Sequence, residues 1–368
     1  MKKSTIIISG GGTGGHAVPM ISVAQELDKK LNIIIFGGFD PIEEQIFKGI
    51  KYPRFRIISG KIHRYHSLKS YLDNILNLIK LLLGIIQSTV LFVYYRPAVV
   101  FSKGGYVSLP VSFTASLFKV PIILHESDLT PGLANRIVAR YASKIAVSFP
   151  PQYYNLPLMK IVYSGHIIRP EIYLARNANL KELKNKLGFT KNKTLLITGG
   201  SQGALIINKT LAKILPSLLA DYNVIHLSGV KDYSWLKDNQ RILENGNNYY
   251  LKAFSKDISE LMALSDLIIT RAGSNTLAEI AALKKPAIII PYRYAAGNHQ
   301  MKNAEYFQRI GGGQVIEEKN LNPALLLEEI NKFINDQRKL TISGENSFKE
   351  NSFNGAKIIA QEIMKLIK

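Results

Sequence analysis

A chain of 368 residues with 47 Lys and Arg, 27 Asp and Glu and a formal net charge of +20 has room for two domains of ordinary size. It contains no cysteine, which excludes a disulfide scaffold, thiolate catalysis and a cysteine zinc site. The basic residues are neither bunched with aromatic residues nor set in a nucleic-acid module, so no nucleic acid is expected as a partner. The excess is either compositional or directed at an anionic membrane surface.

Strand and helix patterns alternate from end to end. In the first half strands are expected at 5–9, 33–36, 99–101, 121–124 and 144–147, and helices at 18–30, 42–48, 68–94, 107–117 and 131–141. In the second half strands are expected at 194–198, 223–227, 249–250, 267–269, 287–290 and 314–316. Helices there fall at 204–219, 257–263, 275–283, 299–310 and 323–335. Such alternation builds parallel sheets covered on both faces, an α/β chain of two Rossmann-like domains with a crossover near Val162–Pro170. Ligands bind at the carboxyl ends of such strands, so a cleft between the domains is the expected site. Met1-Lys2-Lys3-Ser4 passes straight into a strand without a secretory cleavage site, and a cytoplasmic chain is expected.

Two glycine-rich turns open the two halves. Thr5–Ser9 runs into Gly10-Gly11-Gly12-Thr13-Gly14-Gly15-His16, and Thr194–Thr198 runs into Gly199-Gly200-Ser201-Gln202-Gly203-Ala204. Each is a strand, a turn and a helix start, where outward N–H groups favour an anion. Gly10, Gly12 and Gly15 also satisfy the dinucleotide spacing, but the acidic residue that should end the second strand is late: Gly37-Gly38-Phe39-Asp40. A nicotinamide or flavin enzyme is therefore disfavoured. His16 is expected on the first helical turn, beside any bound anion.

A third strand–turn–helix, Asp266 to Glu279, carries Arg271-Ala272-Gly273-Ser274-Asn275-Thr276. Its hydroxyls and free N–H groups suit a pyrophosphate or sugar, and Glu279 could take both hydroxyls of a ribose. The competing reading is a capping box of Thr276 and Glu279. A polar turn with Asn298, His299, Gln300 and Asn303 follows Pro291 and favours a binding role.

Between these motifs lies an unusual segment. Lys51, Arg54, Arg56, Lys61, His63, Arg64, His66 and Lys69 precede an apolar run from Ile75 to Tyr95. The run has the length of a membrane span, about 20 residues. Asn77, Lys80, Gln87 and Ser88 interrupt it, and a central lysine costs roughly 2.5–3.5 kcal/mol on insertion scales. The expectation is a helix packed on a sheet, its surplus apolar surface resting on a bilayer interface. A wholly buried helix and a true span are the competing readings.

The first glycine turn, Lys103-Gly104-Gly105-Tyr106-Val107-Ser108, His125-Glu126-Ser127-Asp128, Gly199–Gly203, Arg271–Glu279, and Gln300 with Asn303 together resemble one family, in order along nearly the whole chain. The chain is similar to the MurG family, the peptidoglycan N-acetylglucosaminyltransferases of glycosyltransferase family 28, which convert lipid I to lipid II. The resemblance implies a GT-B fold: an acceptor- and membrane-binding domain over 1–165, a UDP-sugar-binding domain over 166–350, and a last helix within 351–368 returning toward the first domain. It implies a peripheral protein on the cytoplasmic face of the cell membrane. Its substrates would be UDP-N-acetylglucosamine and lipid I, with cell-wall and division proteins as candidate partners.

Carried over by position, Ser201 and Gln202 meet the donor pyrophosphate and sugar, and Arg169 reaches a phosphate. The backbone of Ser255 contacts uracil, and Gly273, Ser274, Asn275 and Thr276 approach the phosphates. Glu279 binds the ribose, and Gln300 the sugar hydroxyls. Thr13, Gly14 and Gly15 approach the donor from the acceptor side, where Gly104, Gly105 and Tyr106 also lie. One departure falls at Asp128, where better-known members read His-Glu-Gln-Asn. A carboxylate there loses two N–H donors but still accepts from a sugar hydroxyl.

The implied reaction moves N-acetylglucosamine from an α-linked nucleotide to the 4-hydroxyl of muramic acid, with inversion in one displacement. The sequence has no D-x-D pair, so no metal or other cofactor is expected. Helix N-termini and Arg169 would supply the positive potential. His16, with an ordinary pKa near 6.5, is the expected base, and Glu126 its rival or the residue that orients it. A non-catalytic sugar-nucleotide-binding protein, a diacylglycerol glycosyltransferase and a dehydrogenase are the competing functions.

Overall fold

Strands buried on both faces need no polar alternation, and the runs Ile6–Ile8, Ile33–Phe36, Val99–Phe101, Leu195–Ile197 and Leu267–Ile269 are almost wholly inaccessible to solvent. The computed structural model describes residues 3–11, 14–61, 68–200, 203–238 and 248–367, with the side chains of 14, 42 and 68–71 outside that description. The chain divides after Arg169 into two units, and residues from Phe353 onward belong to the first.

The first unit contains β1 (Thr5–Gly10), α1 (Gly14–Leu27), β2 (Asn32–Gly37), α2 (Pro41–Phe47), β3 (Arg54–Arg56), α3 (Leu68–Tyr95), β4 (Val99–Gly104), α4 (Ser108–Leu117), β5 (Ile122–Glu126), α5 (Leu133–Tyr141), β6 (Lys144–Val147) and β7 (Ile161–Tyr163). The second contains α6 (Pro170–Ala175), α7 (Leu180–Lys186), β8 (Lys193–Thr198), α8 (Leu205–Asp221), β9 (Tyr222–Leu227), α9 (Val230–Lys237), β10 (Tyr249–Lys252), α10 (Ile258–Leu264), β11 (Leu267–Thr270), α11 (Ser274–Ala282), β12 (Ala287–Ile289), α12 (His299–Arg309), β13 (Gly313–Val315), α13 (Pro323–Ile334) and α14 (Gln337–Lys349).

Helix α15 (Gly355–Leu366) packs on α1, with Ile359 and Ile363 buried in the cluster that holds Met20, Val23 and Ala24. Each such buried aliphatic side chain contributes about 1.5–3 kcal/mol. A bridge from Ile167 to Asn354 and a 3.0 Å hydrogen bond from Gly355 N to His166 O fix where the helix begins.

The first sheet runs β3-β2-β1-β4-β5-β6-β7 and the second β10-β9-β8-β11-β12-β13, with all pairs parallel. Strand order therefore reverses at β1/β4 and at β8/β11. These are the switch points where parallel sheets open a crevice, and each is flanked by one of the two glycine turns.

Helix α3 is turned the opposite way from an ordinary amphipathic helix. Three of its four polar interruptions, Asn77, Gln87 and Ser88, face the protein, while Lys80 is exposed: Asn77 Nδ2 donates to Lys61 O at 2.7 Å. Gln87 Oε1 accepts from Ile58 N and its Nε2 donates to Arg56 O, both at 2.9 Å. Gly84 is buried against Ile58 O, where a Cβ would stand at 2.0 Å. The apolar residues face outward, Leu72, Ile75, Ile79, Leu82, Leu83, Ile86, Val90 and Val93 among them. Among the described residues Leu72–Tyr95 is the one stretch long and apolar enough, by length and composition, to cross a membrane, and 22% of its most apolar window is buried. The expected sheet-packed core is thus a narrow seam, and the apolar patch is most of the helix. The basic run before it is partly spent internally. Lys51 pairs with Asp28, Arg54 with Glu43 and Glu44, and Arg56 with Glu44. His63, Arg64 and His66 lie outside the described residues, as does the side chain of Lys69.

Candidate active site

In the first unit the ends of β1, β4 and β5 deliver their loops to one pocket of about 290 Å³. Its lining includes Gly11, His16, Lys103, Gly105, Tyr106, Glu126, Ser127, Asp128 and Asn135. The β1 and β4 turns close on each other. A Cβ on Gly105 would stand 2.3 Å from Gly11 O, and its φ of +80° lies in the left-handed region. Only glycine serves there. Gly104 ends β4, and Gly14 and Gly15 begin α1, while Thr13 lies outside the described residues. Arg169, half-buried, ends the unit.

Glu126 closes β5 and is buried, with both carboxylate oxygens engaged. Oε1 accepts from Asp128 N at 2.9 Å and Oε2 from Asn135 Nδ2 at 2.8 Å. Burial, with Asp128 adding to it, pushes its carboxyl up to about 7, against the opposing hydrogen bonds and Lys103. His16 sits on the first turn of α1 and is half-buried. Its pKa is lowered to about 3, by burial first and by the Lys103 charge second, while Asp128 acts the other way. The expectation took His16 at its ordinary value, whereas here the imidazole is neutral throughout the physiological range. His125, its neighbour in the motif, is a core residue. It is stacked near Phe101, bonded to Ser148 Oγ at 3.1 Å and held well below its usual pKa by burial.

In the second unit the expected donor residues gather at strand ends. Helix α11 starts at Ser274 with Gly273 as its N-cap and no side-chain cap. Thr276 and Glu279 stand at the third and sixth helical positions, so the capping box of the sequence reading is not formed. The first N–H groups of α11 keep their orientation toward an anion. Ser274 and Glu279 are buried, and Asn275 and Thr276 half-buried. Asn303, fully buried, donates from Nδ2 to Ala272 O at 3.1 Å and holds the turn before α11. Gln300 Oε1 accepts from Tyr292 N at 2.9 Å, which fixes the side chain at the end of β12. Ser255 follows β10, where its Oγ accepts from Asp257 N at 3.1 Å. Ser201 and Gln202 lie outside the described residues.

The sequence motifs include Lys103 without a role and assign none to Asn135, and they do not reveal a buried network in the second unit. His226 bonds Tyr249 Oη at 2.8 Å and Asn208 Oδ1 at 2.9 Å, and Asn208 Nδ2 donates to Ser228 O and Asp232. This ties α8 to the β9 loop, where Gly203 and Ser228 meet. A polar residue on an otherwise apolar strand was the available signal in both units, at Lys103 and at His226.

Two parallel sheets, each with a glycine turn at its switch point, are the architecture of the GT-B fold. The chain matches the glycosyltransferase family 28 N-terminal domain over residues 6–147 and the C-terminal domain of that family over residues 194–362. It is 37% identical to a UDP-N-acetylglucosamine–N-acetylmuramyl-(pentapeptide) pyrophosphoryl-undecaprenol N-acetylglucosamine transferase from Lachnospira eligens, covering 100% of this chain and 99% of that one. A Clostridium botulinum (strain Hall) protein of the same name is 38% identical, with both chains covered in full. The crystal structure of Acinetobacter baumannii MurG shares the fold with a TM-score of 0.74 at 22% identity, over 99% of each chain. The chain belongs to glycosyltransferase family 28, among its MurG members.

Proposed function

We propose that this protein transfers N-acetylglucosamine from UDP-N-acetylglucosamine to the 4-hydroxyl of undecaprenyl-pyrophosphoryl-N-acetylmuramoyl-pentapeptide, lipid I, giving lipid II with inversion at the transferred sugar. The observation that carries this is positional. The family motifs that fall on described residues lie at the carboxyl edges of the sheets or on the helices that begin there, in proteins that are similar over their full lengths.

The second unit takes the donor. The uncapped start of α11 faces the diphosphate, Glu279 holds the ribose and Gln300 the sugar hydroxyls. As UDP departs, its charge is met by helix N–H groups of the second unit, with no metal in the step. The pocket of the first unit takes the acceptor. His16 is the base: it is a half-open group lining the pocket and is unprotonated at neutral pH. The nearby carboxylate of Asp128 favours its protonation as the acceptor proton is taken. Glu126 is the positioning residue, since its two oxygens hold the Ser127–Asp128 turn and Asn135 in place.

Helix α3 lays its apolar face on the anionic inner surface of the cell membrane, bringing the pocket to a lipid-borne acceptor. The test of the chemistry is the product itself. A β-configured 1,4-linked disaccharide from an α-linked donor supports single displacement, and an α-linked product overturns it.

A further inference from the structure

The acceptor-side pocket contains a buried cation that the transfer step leaves unused. Lys103 ends the otherwise apolar run of β4, lines the pocket and is 2% exposed. Burial lowers its pKa, opposed by the fields of Glu126 and then Asp128. A lysine is almost never fully buried unless its charge is matched. Here its Nζ donates to a hydroxyl, Ser127 Oγ at 3.1 Å, and an ammonium has three donors to place.

The same pocket holds a buried acceptor with no hydrogen-bond partner among the described residues, Asn135 Oδ1, on the residue whose Nδ2 is tied to Glu126. Asn135 Oδ1 packs against Gly104, so the accepting side of the wall is the half-open carboxylate of Asp128; with the spare ammonium donors it matches a ligand group that both accepts and donates, a sugar hydroxyl or amide. A phosphate fits this wall poorly, because it would meet the carboxylates of Glu126 and Asp128. The volume, about 290 Å³, stands at the small end of the usual ~300–1,000 Å³ for ligand pockets and suits one sugar ring better than a whole glycolipid.

We infer that Lys103, with Asp128 as its counter-charge, recognises the neutral polar edge of the acceptor sugar, the two residues acting as one unit. This also gives the carboxylate at 128 a reason: it adds to the field of Glu126 on a buried cation, which a neutral amide would not do. The inference rests on the acceptor assignment above and adds the residues that read the sugar.

Steady-state kinetics on a lipid I analogue tests it, with the wild type, Lys103→Met, Asp128→Asn and the double variant. Transfer by the wild type checks the acceptor assignment separately. Lys103→Met is expected to raise the acceptor KM by about tenfold to a hundredfold and to leave the donor KM within about twofold. Asp128→Asn alone weakens the counter-charge on a buried cation, so the double variant is expected to lose less than the product of the two single losses. Lys103→Gln, which keeps a neutral donor, gives the same KM split if Lys103→Met does not fold. A rise in donor KM alone, an unchanged acceptor KM, or independent multiplying losses would overturn the inference.

Discussion

Asn135 Nδ2 donates a 2.8 Å hydrogen bond to Glu126 Oε2, joining the first turn of α5 to the last residue of β5 across the pocket. The bond favours the ionised carboxylate, while burial favours the protonated acid, and the balance places Glu126 at about 7. The pocket therefore changes its hydrogen bonding within the working pH range.

The pH profile follows. Ionised Glu126 can accept both bonds, so kcat/KM is expected to rise through about pH 7 and then level. Glu126→Gln should flatten that step, and Asn135→Leu should move it to higher pH by removing a bond that lowers the pKa. A step unchanged in Glu126→Gln assigns the titration elsewhere. For stability the sign is set by the raised value. The folded state keeps a proton that the unfolded chain releases near 4.5, so this contribution is full below 4.5 and is lost as pH rises through about 7. Urea titrations at pH 5 and pH 8 read the difference, which should be absent in Glu126→Gln.

His16→Ala removes the base. The expected result is a loss of about 10²–10⁴ in kcat with UDP-N-acetylglucosamine binding retained. Because His16 is lowered to about 3 in the free protein, kcat/KM should show no imidazole step above pH 5. Full turnover in the variant removes the assignment.

Glu279 offers a specificity test. If its carboxylate takes the ribose, Glu279→Ala should raise the donor KM and should also abolish discrimination against a 2′-deoxyribose donor. A site built for a hydroxyl otherwise rejects its absence strongly. Discrimination that survives the substitution places the ribose contact on another residue.

Much of this was legible in the sequence, because fully apolar strands and glycine turns declare a parallel sheet without tertiary information. The strands of both switch points were found that way. The short strand β3 was not, since Arg54-Phe55-Arg56 carries no apolar run, whereas β7 falls at the strand expected at the crossover. Hydropathy gave the apolar content of α3 but not its orientation, because Asn77 and Gln87 are satisfied by backbone distant in sequence, in and after β3. The Thr276–Glu279 spacing suggested a cap, and only the helix start at Ser274 showed that it is not one. Lys103 was visible as a letter, while its burial depended on β5 and α5.

The outward face of α3 gives a membrane prediction. Leu82, Ile86 and Val90 are 55%, 62% and 64% exposed, so replacing all three with Glu removes no core packing. Flotation with anionic vesicles should fall sharply while the melting temperature stays within a few degrees. Undiminished flotation places the membrane contact elsewhere, and equal flotation of the wild type with neutral vesicles removes the electrostatic part of the proposal.

The central claim is the reaction, and one assay addresses it: transfer of labelled N-acetylglucosamine from UDP-N-acetylglucosamine to a lipid I analogue in the presence of EDTA. The account predicts labelled lipid II and stoichiometric UDP. No transfer to lipid I, with sugar delivered to diacylglycerol instead, would contradict it and leave only the donor side standing.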